Sequence, residues 1–198
     1  GALATTRTAD AEQAAPMPAP IAALTSMRGT AKPITRDERK GRVEKARRLM
    51  TEQKIDALML TGGTSLVYFS GIQWGLSERL FSLVIPKSGE PFVVCPAFEE
   101  DRAREQFATS PFTGTADVRT WEEHESPYER LAQGLKDRGI TTGRLGVEET
   151  VRHMFVDGVA KAAPGLTLVS GTPTQSGGFY RMTVNTASGE LFYTLRQP

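Results

Sequence analysis

Residues 56–96 read DALMLTGGTSLVYFSGIQWGLSERLFSLVIPKSGEPFVVCP. Four short apolar runs lie within this stretch: ALML at 57–60, LVYF at 66–69, LFSLVIP at 80–86 and FVVCP at 92–96. Gly, Ser and Pro separate them, and each run has strand length with β-branched or aromatic enrichment. Runs apolar on both faces suit strands that are covered on both sides. Charged helical patterns lie before and after them. The expected fold is therefore α/β, a mixed, mostly parallel central sheet of about five or six strands with helices on both faces.

Upstream, Thr35-Arg36-Asp37-Glu38 fits a capping box, in which the Thr35 hydroxyl and the Glu38 carboxylate satisfy orphan amide donors. The helix it starts should run to about Gln53, with Val43, Ala46, Leu49 and Met50 as its apolar stripe. Its other face carries Arg39, Lys40, Arg42, Lys45, Arg47 and Arg48 and reads as a solvated face. Downstream, residues 98–107 read as a charged helix with Phe98 and Ala103 towards the sheet. Residues 118–121 read as an edge strand. Ser126-Pro127-Tyr128-Glu129 starts a helix closing near Gly139. A strand at 144–147, a helix at 150–163 and a strand at 166–170 complete the domain.

The chain has 198 residues, with 24 basic and 23 acidic side chains and a net charge of +1. Such balance argues against a nucleic-acid module, which needs a clustered cationic excess. A single cysteine, Cys95, excludes an internal disulfide and a cysteine zinc cage. No apolar run approaches the roughly 18 residues of a membrane helix. Residues 1–34, rich in Ala, Thr and Pro, read as a flexible extension that cannot bury enough apolar surface to order itself. The opening Gly1-Ala2-Leu3-Ala4 suits the end of an export signal or a partly engineered scar. The expectation is a periplasmic or exported protein, with the cytoplasm as the alternative.

Chemistry-bearing candidates are few. Thr61-Gly62-Gly63 closes the first strand at an edge where α/β sheets tend to bind ligands, but it fits no phosphate-loop pattern and reads as a turn. The loop at 72–79 (IQWGLSER) offers Trp74, Glu78 and Arg79 as a contact surface. The other reading has Trp74 folded onto the core and Glu78 paired with Arg79 in solvent. Cys95 has no local base and reads as a buried structural thiol. Glu99, Glu100 and Asp101 point around a helix rather than at one centre. His124 and His153 lack a spaced partner of a metal motif and read as surface residues.

In order, Lys54-Ile55-Asp56-Ala57-Leu58, Tyr68-Phe69-Ser70-Gly71, Glu78-Arg79-Leu80 into Leu83-Val84-Ile85-Pro86, Gly89-Glu90-Pro91, Gly146-Val147-Glu148 and Leu168-Val169 resemble the N-terminal domain of the M24 "pita-bread" family. That family includes X-Pro dipeptidase (prolidase), aminopeptidase P and creatinase. The similarity spans about residues 35–173. It departs at Ser65, where relatives often carry Asn. The resemblance implies a creatinase-type N-terminal fold, and a separate catalytic domain in which two Asp, one His and two Glu hold two divalent ions (manganese, cobalt or zinc). After Gly171 the chain has 27 residues with no Asp, no His and only Glu190. They cannot supply such a cage, so no metal site and no catalytic residue is expected here.

The resemblance further implies that this domain caps the catalytic cleft, restricts substrates to short peptides and builds a homodimer or larger oligomer. Trp74, Glu78 and Arg79 would then reach the missing catalytic domain or a neighbouring subunit. The alternative is a stand-alone module binding a protein or small molecule at the Gly62-Gly63 edge. A third reading is a flavodoxin-like binder of a phosphorylated ligand. Residues 172–198 form an atypical tail, with the alternation of a hairpin around Thr186–Gly189. A native addition, a disrupted frame and a deliberate truncation all suit it.

Overall fold

The computed structural model describes residues 17–112, 114 and 116–170. It divides into two units, Gly1–Pro33 and Ile34–Pro198. In the first unit, the described residues are exposed and hold one helical turn, α1 (Ala19–Ala22), and a short 3-10 turn (Arg28–Thr30). The hairpin expected around Thr186 lies outside the described residues.

The second unit opens with α2 (Arg36–Glu52), capped as its sequence dictates: the Thr35 hydroxyl accepts the Glu38 amide at 3.1 Å. The stripe is narrower than expected. Val43, Ala46 and Met50 are buried, whereas Leu49 lies exposed. The basic face is also less free than a solvated face would be. Arg42 donates to the Tyr68 carbonyl at 3.0 Å, and Arg47 donates to the Pro86 and Gly89 carbonyls at 3.2 and 2.6 Å. These guanidiniums tie α2 to its neighbours.

Six strands follow: β1 (Ala57–Leu60), β2 (Ser82–Pro86), β3 (Phe92–Pro96), β4 (Asp117–Trp121), β5 (Gly143–Val147) and β6 (Leu166–Ser170). Their order across the sheet is β4-β3-β2-β1-β5-β6. β2 runs against both its neighbours, and every other pairing is parallel. The sheet is thus mixed and mostly parallel, with β4 at an edge as its sequence suggested. The β2–β3 connection is a hairpin in which Gly89 takes φ of 86°, open to glycine without strain.

The strand expected at 66–69 is instead a helix, α3 (Thr64–Ser70). An apolar run of this length suits either element, and the caps decide it. Gly71 adopts the left-handed conformation (φ 80°) and returns its amide to the Val67 carbonyl at 2.9 Å. Leu66 and Ser70, one helical turn apart, are buried, while Tyr68 between them is 47% exposed. That is helical periodicity, with one side towards the core.

The remaining helices are α4 (Glu100–Ala108), α5 (Pro127–Lys136) and α6 (His153–Ala162). α4 follows a 3-10 turn (Ala97–Glu99). Ala103 faces the core as expected, but Phe98 points out. The Ser126 hydroxyl caps α5 by accepting the Glu129 amide at 3.3 Å.

Alternation along the strands sorts the core into two layers. Met59, Val84, Phe92, Val94, Leu145 and Leu168 pack with α5 and α6 through Leu131, Leu135, Phe155 and Val159. Leu60, Leu83, Ile85, Val93 and Cys95 pack on the other face with Val43 of α2, Leu66 of α3 and Phe107 of α4. Full burial of each such leucine or phenylalanine contributes about 1.5–3 kcal/mol relative to exposure. No helix among the described residues is long and apolar enough to cross a membrane.

Candidate functional site

Because β1, β3, β4, β5 and β6 share one direction, the loops that leave them gather at one edge of the sheet. These are residues 61–63, 97–99, 122–126 and 148–152. The long segment 71–81 arrives at the same edge, since it feeds β2, the strand of opposite sense. Function in open α/β sheets concentrates at such a carboxyl edge.

Gly62 and Gly63 serve the turn in different ways. A Cβ on Gly62 would meet the Trp74 and Gly75 carbonyl oxygens at 2.7 and 2.8 Å, so only glycine lets segment 71–81 close over β1. Gly63 starts α3 with φ of 149°, where a side chain would be strained.

The three residues singled out in the sequence do share this edge, but they divide in role. Trp74 is 8% exposed and not a surface ring. Phe81 stacks on the indole at 3.9 Å, and the Arg102 guanidinium sits over it at 4.2 Å. An indole on a polar loop looks exposed in sequence, but burying its large apolar surface decides its place. Glu78 and Arg79 lie at the surface and pair at 2.5 Å. Arg79 Nε also meets the Glu123 carboxylate at 2.6 Å, across 44 residues of sequence, and its guanidinium lies 5.7 Å from the centre of the Phe98 ring.

The electrostatics follow from these contacts. The Glu78 carboxyl is held below the usual carboxylate range by its own backbone amide and the Ser77 hydroxyl, with Arg79 adding. Glu123 raises the Arg79 guanidinium further above its already high value.

Sequence reasoning missed Glu123, Leu76 and Phe98. Leu76 and Phe98 are 69% and 70% exposed, an unusual placement for large apolar side chains on adjoining loops of one edge. Glu123 was legible only once β4 was known to run parallel to β3. Below this edge a groove of about 600 Å³ follows β1 and β5.

Cys95 is buried, and its thiol is pushed up to about 12, chiefly by loss of solvent and then by Glu100 and Glu99. No nucleophile is poised there. Among the described residues no three His, Cys, Asp or Glu converge as a cation would require.

The creatinase/prolidase N-terminal domain family matches residues 42–176. An uncharacterized peptidase of Schizosaccharomyces pombe (strain 972) is 32% identical over 141 residues, which are 65% of this chain and 30% of that protein. The Xaa-Pro dipeptidase of Lactobacillus delbrueckii subsp. lactis is 29% identical over 114 residues, 56% of this chain and 29% of that one. Among solved structures, a dipeptidase of Pyrococcus horikoshii OT3 superposes with a TM-score of 0.53 at 27% identity, covering 66% of this chain and 33% of its own. The chain spans about a third of the length of these relatives. Strand order, capped helices and the matched span lead to one conclusion: this chain belongs to the creatinase/prolidase N-terminal domain family.

Proposed function

We propose that this chain is the non-catalytic N-terminal domain of an X-Pro-dipeptidase-like metallopeptidase, and that its carboxyl sheet edge faces a catalytic cleft or a neighbouring subunit. The observation that carries this reading is that two exposed apolar side chains, Leu76 and Phe98, lie on loops of the same sheet edge as Arg79, which pairs with both Glu78 and Glu123. Exposed apolar side chains accompanied by paired charges suit a contact surface. Glu78 and Arg79 are the polar contacts. Arg79 can exchange one of its carboxylate partners for that of a short peptide or of another domain. Phe81 and Arg102 already cover Trp74, so its part is to hold loop 71–81 in place. The two divalent ions belong to the catalytic domain, and this chain's part is to restrict access and build a dimer.

The test is an assay of the purified chain on a Xaa-Pro dipeptide with added manganese or cobalt, alongside sedimentation equilibrium. No turnover is expected, with a dimer that Leu76→Ser and Phe98→Ser weaken. Clear turnover, or a monomer unaltered by those substitutions, overturns the proposal. The alternative, a stand-alone module binding a protein or small molecule at the Gly62-Gly63 edge, has the groove beside those glycines in its favour. A specific partner surviving salt in native mass spectrometry supports that alternative instead.

A further inference from the structure

The groove beside β1 and β5 carries opposite charges at its two ends. Leu145 and Val147 pack into the layer with α5 and α6, so alternation puts Arg144 and Gly146 on the other face of β5. There Leu58, Gly146 and Val169 lie side by side in register across β1, β5 and β6. They form the apolar floor of the groove of about 600 Å³, and Phe69 of α3 adds to its lining. A cavity of this size, apolar with a few polar groups, suits a small ligand. Arg144 lines it at the start of β5, and Glu148 and Glu149 line it just past the last residue of that strand. At roughly 3.3 Å per residue, the backbone at Arg144 and at Glu148 is about 13 Å apart. These charges keep free valences. Arg144 donates from its guanidinium to the Gln53 carbonyl at 2.9 Å. The Asp56 carboxylate accepts Lys87 Nζ and the Arg144 amide rather than that guanidinium. Glu148 and Glu149 form no ion pair with any described residue.

We propose that the groove binds a short apolar peptide, about four residues long, with both termini free. Its carboxylate pairs with the Arg144 guanidinium, whose remaining donors suit a charged oxygen pair. Its ammonium meets Glu148 and Glu149, and its side chains lie on Leu58 and Val169. One guanidinium and two carboxylates repel, at one end or the other, a ligand of a single charge sign, whereas a zwitterion of matching length engages all three. Four extended residues span roughly 13–14 Å, the separation of the two ends. The hydroxyls of Thr64 and Ser65, which also line the groove, can bond the peptide backbone. The site rests on the groove alone. It gives the stand-alone alternative a ligand class, and its failure would leave the sheet-edge contact standing, since Phe98 lies outside the groove.

The test is calorimetric titration of the full chain with the tetrapeptide alanyl-leucyl-valyl-leucine. Saturable binding of one peptide per chain is expected. Amidating its carboxyl end, or acetylating its amino end, should each weaken binding about tenfold, the range of a hydrogen bond to a charged group. Arg144→Gln should weaken the free peptide about tenfold and leave the amidated one unchanged. Glu148→Gln combined with Glu149→Gln should weaken the free peptide similarly and leave the acetylated one unchanged. Far-UV circular dichroism checks that each variant is folded, and the end-blocked peptides test the same pairings on the unaltered chain. Absence of saturation, equal binding of free and end-blocked peptides, or variants that weaken both alike would overturn the proposal. Decanoate binding as tightly as the peptide also overturns it, and assigns the groove to an apolar anion.

Discussion

Gly134 lies in the last turn of α5, and a glycine within a helix ordinarily costs about 1 kcal/mol relative to alanine. On helix propensity alone, Gly134→Ala should stabilise the protein. The packing reverses that sign. A Cβ at Gly134 would lie 2.3, 2.5 and 2.8 Å from Cε2, Cζ and Cδ2 of Phe92, well inside any real contact. The Phe92 ring has no room to retreat. It is fully buried in β3, and the Arg138 guanidinium lies over it at 4.4 Å. Arg138 is itself held by the Glu90 and Pro91 carbonyls and by the Asp117 carboxylate at 2.7, 3.3 and 2.9 Å. Either α5 lifts by about 1 Å, thinning the contacts of Leu131 and Leu135, or the ring leaves its rotamer. Overpacking of this kind costs about 1–3 kcal/mol. After subtraction of the propensity gain of about 1 kcal/mol, Gly134→Ala should lower stability by up to about 2 kcal/mol. Urea unfolding followed by far-UV circular dichroism should show a lower midpoint at unchanged slope. Phe92→Leu, which removes the obstructing ring edge, should cost about 1–2 kcal/mol alone. The double variant should be less destabilised than the sum by about 1 kcal/mol or more, because the alanine methyl fills the vacated space. A raised midpoint for Gly134→Ala, or strict additivity in the cycle, would refute this account of how α5 seats on the sheet.

Two further predictions concern charge. Asp56 accepts Lys87 Nζ at 2.7 Å and the Arg144 amide at 2.9 Å, tying together β1, β2 and β5, and its carboxyl is lowered chiefly by the Lys87 bond. Its contribution is therefore present above the unfolded carboxylate value of about 3.9 and lost as pH falls through the lower folded value. Asp56→Asn should cost about 1–2 kcal/mol at pH 7 and progressively less as the carboxyl is protonated at acid pH, read from urea midpoints across pH; a loss that does not change with pH would exclude the charge. The Cys95 thiol, raised to about 12, should resist a disulfide reagent at pH 8 until urea is added. Stability from the buried neutral thiol is fully present below the unfolded value of about 8.5 and fades as pH rises towards 12. Rapid labelling of the native protein would contradict its burial.

Much of this domain was legible from local chemistry. Thr35 and Ser126 announced their helices because a cap is a contact three residues long. The β2–β3 hairpin followed from two strand-length runs around Gly89. The order of motifs from Lys54 to Val169 already indicated the family. Neighbours on the chain decide such features, so reading them requires no knowledge of what approaches from elsewhere.

Other features depended on distant partners. The run at 66–69 is equally apolar as a strand or a helix, and α3 wins because Gly71 caps it and Leu66 and Ser70 meet the core together. Trp74 is buried because Phe81 and Arg102 enclose it, and Phe98 is exposed because a 3-10 turn precedes α4. The basic face of α2 finds carbonyl partners up to 42 residues away. Strand direction alone brings Glu123 to Arg79. Sequence determined which segments are apolar, capped or hinged, whereas tertiary packing decided which apolar surfaces water would lose and which charges would meet. Those outcomes are set by free energies of burial and pairing between parts remote in the chain, and no local pattern encodes them.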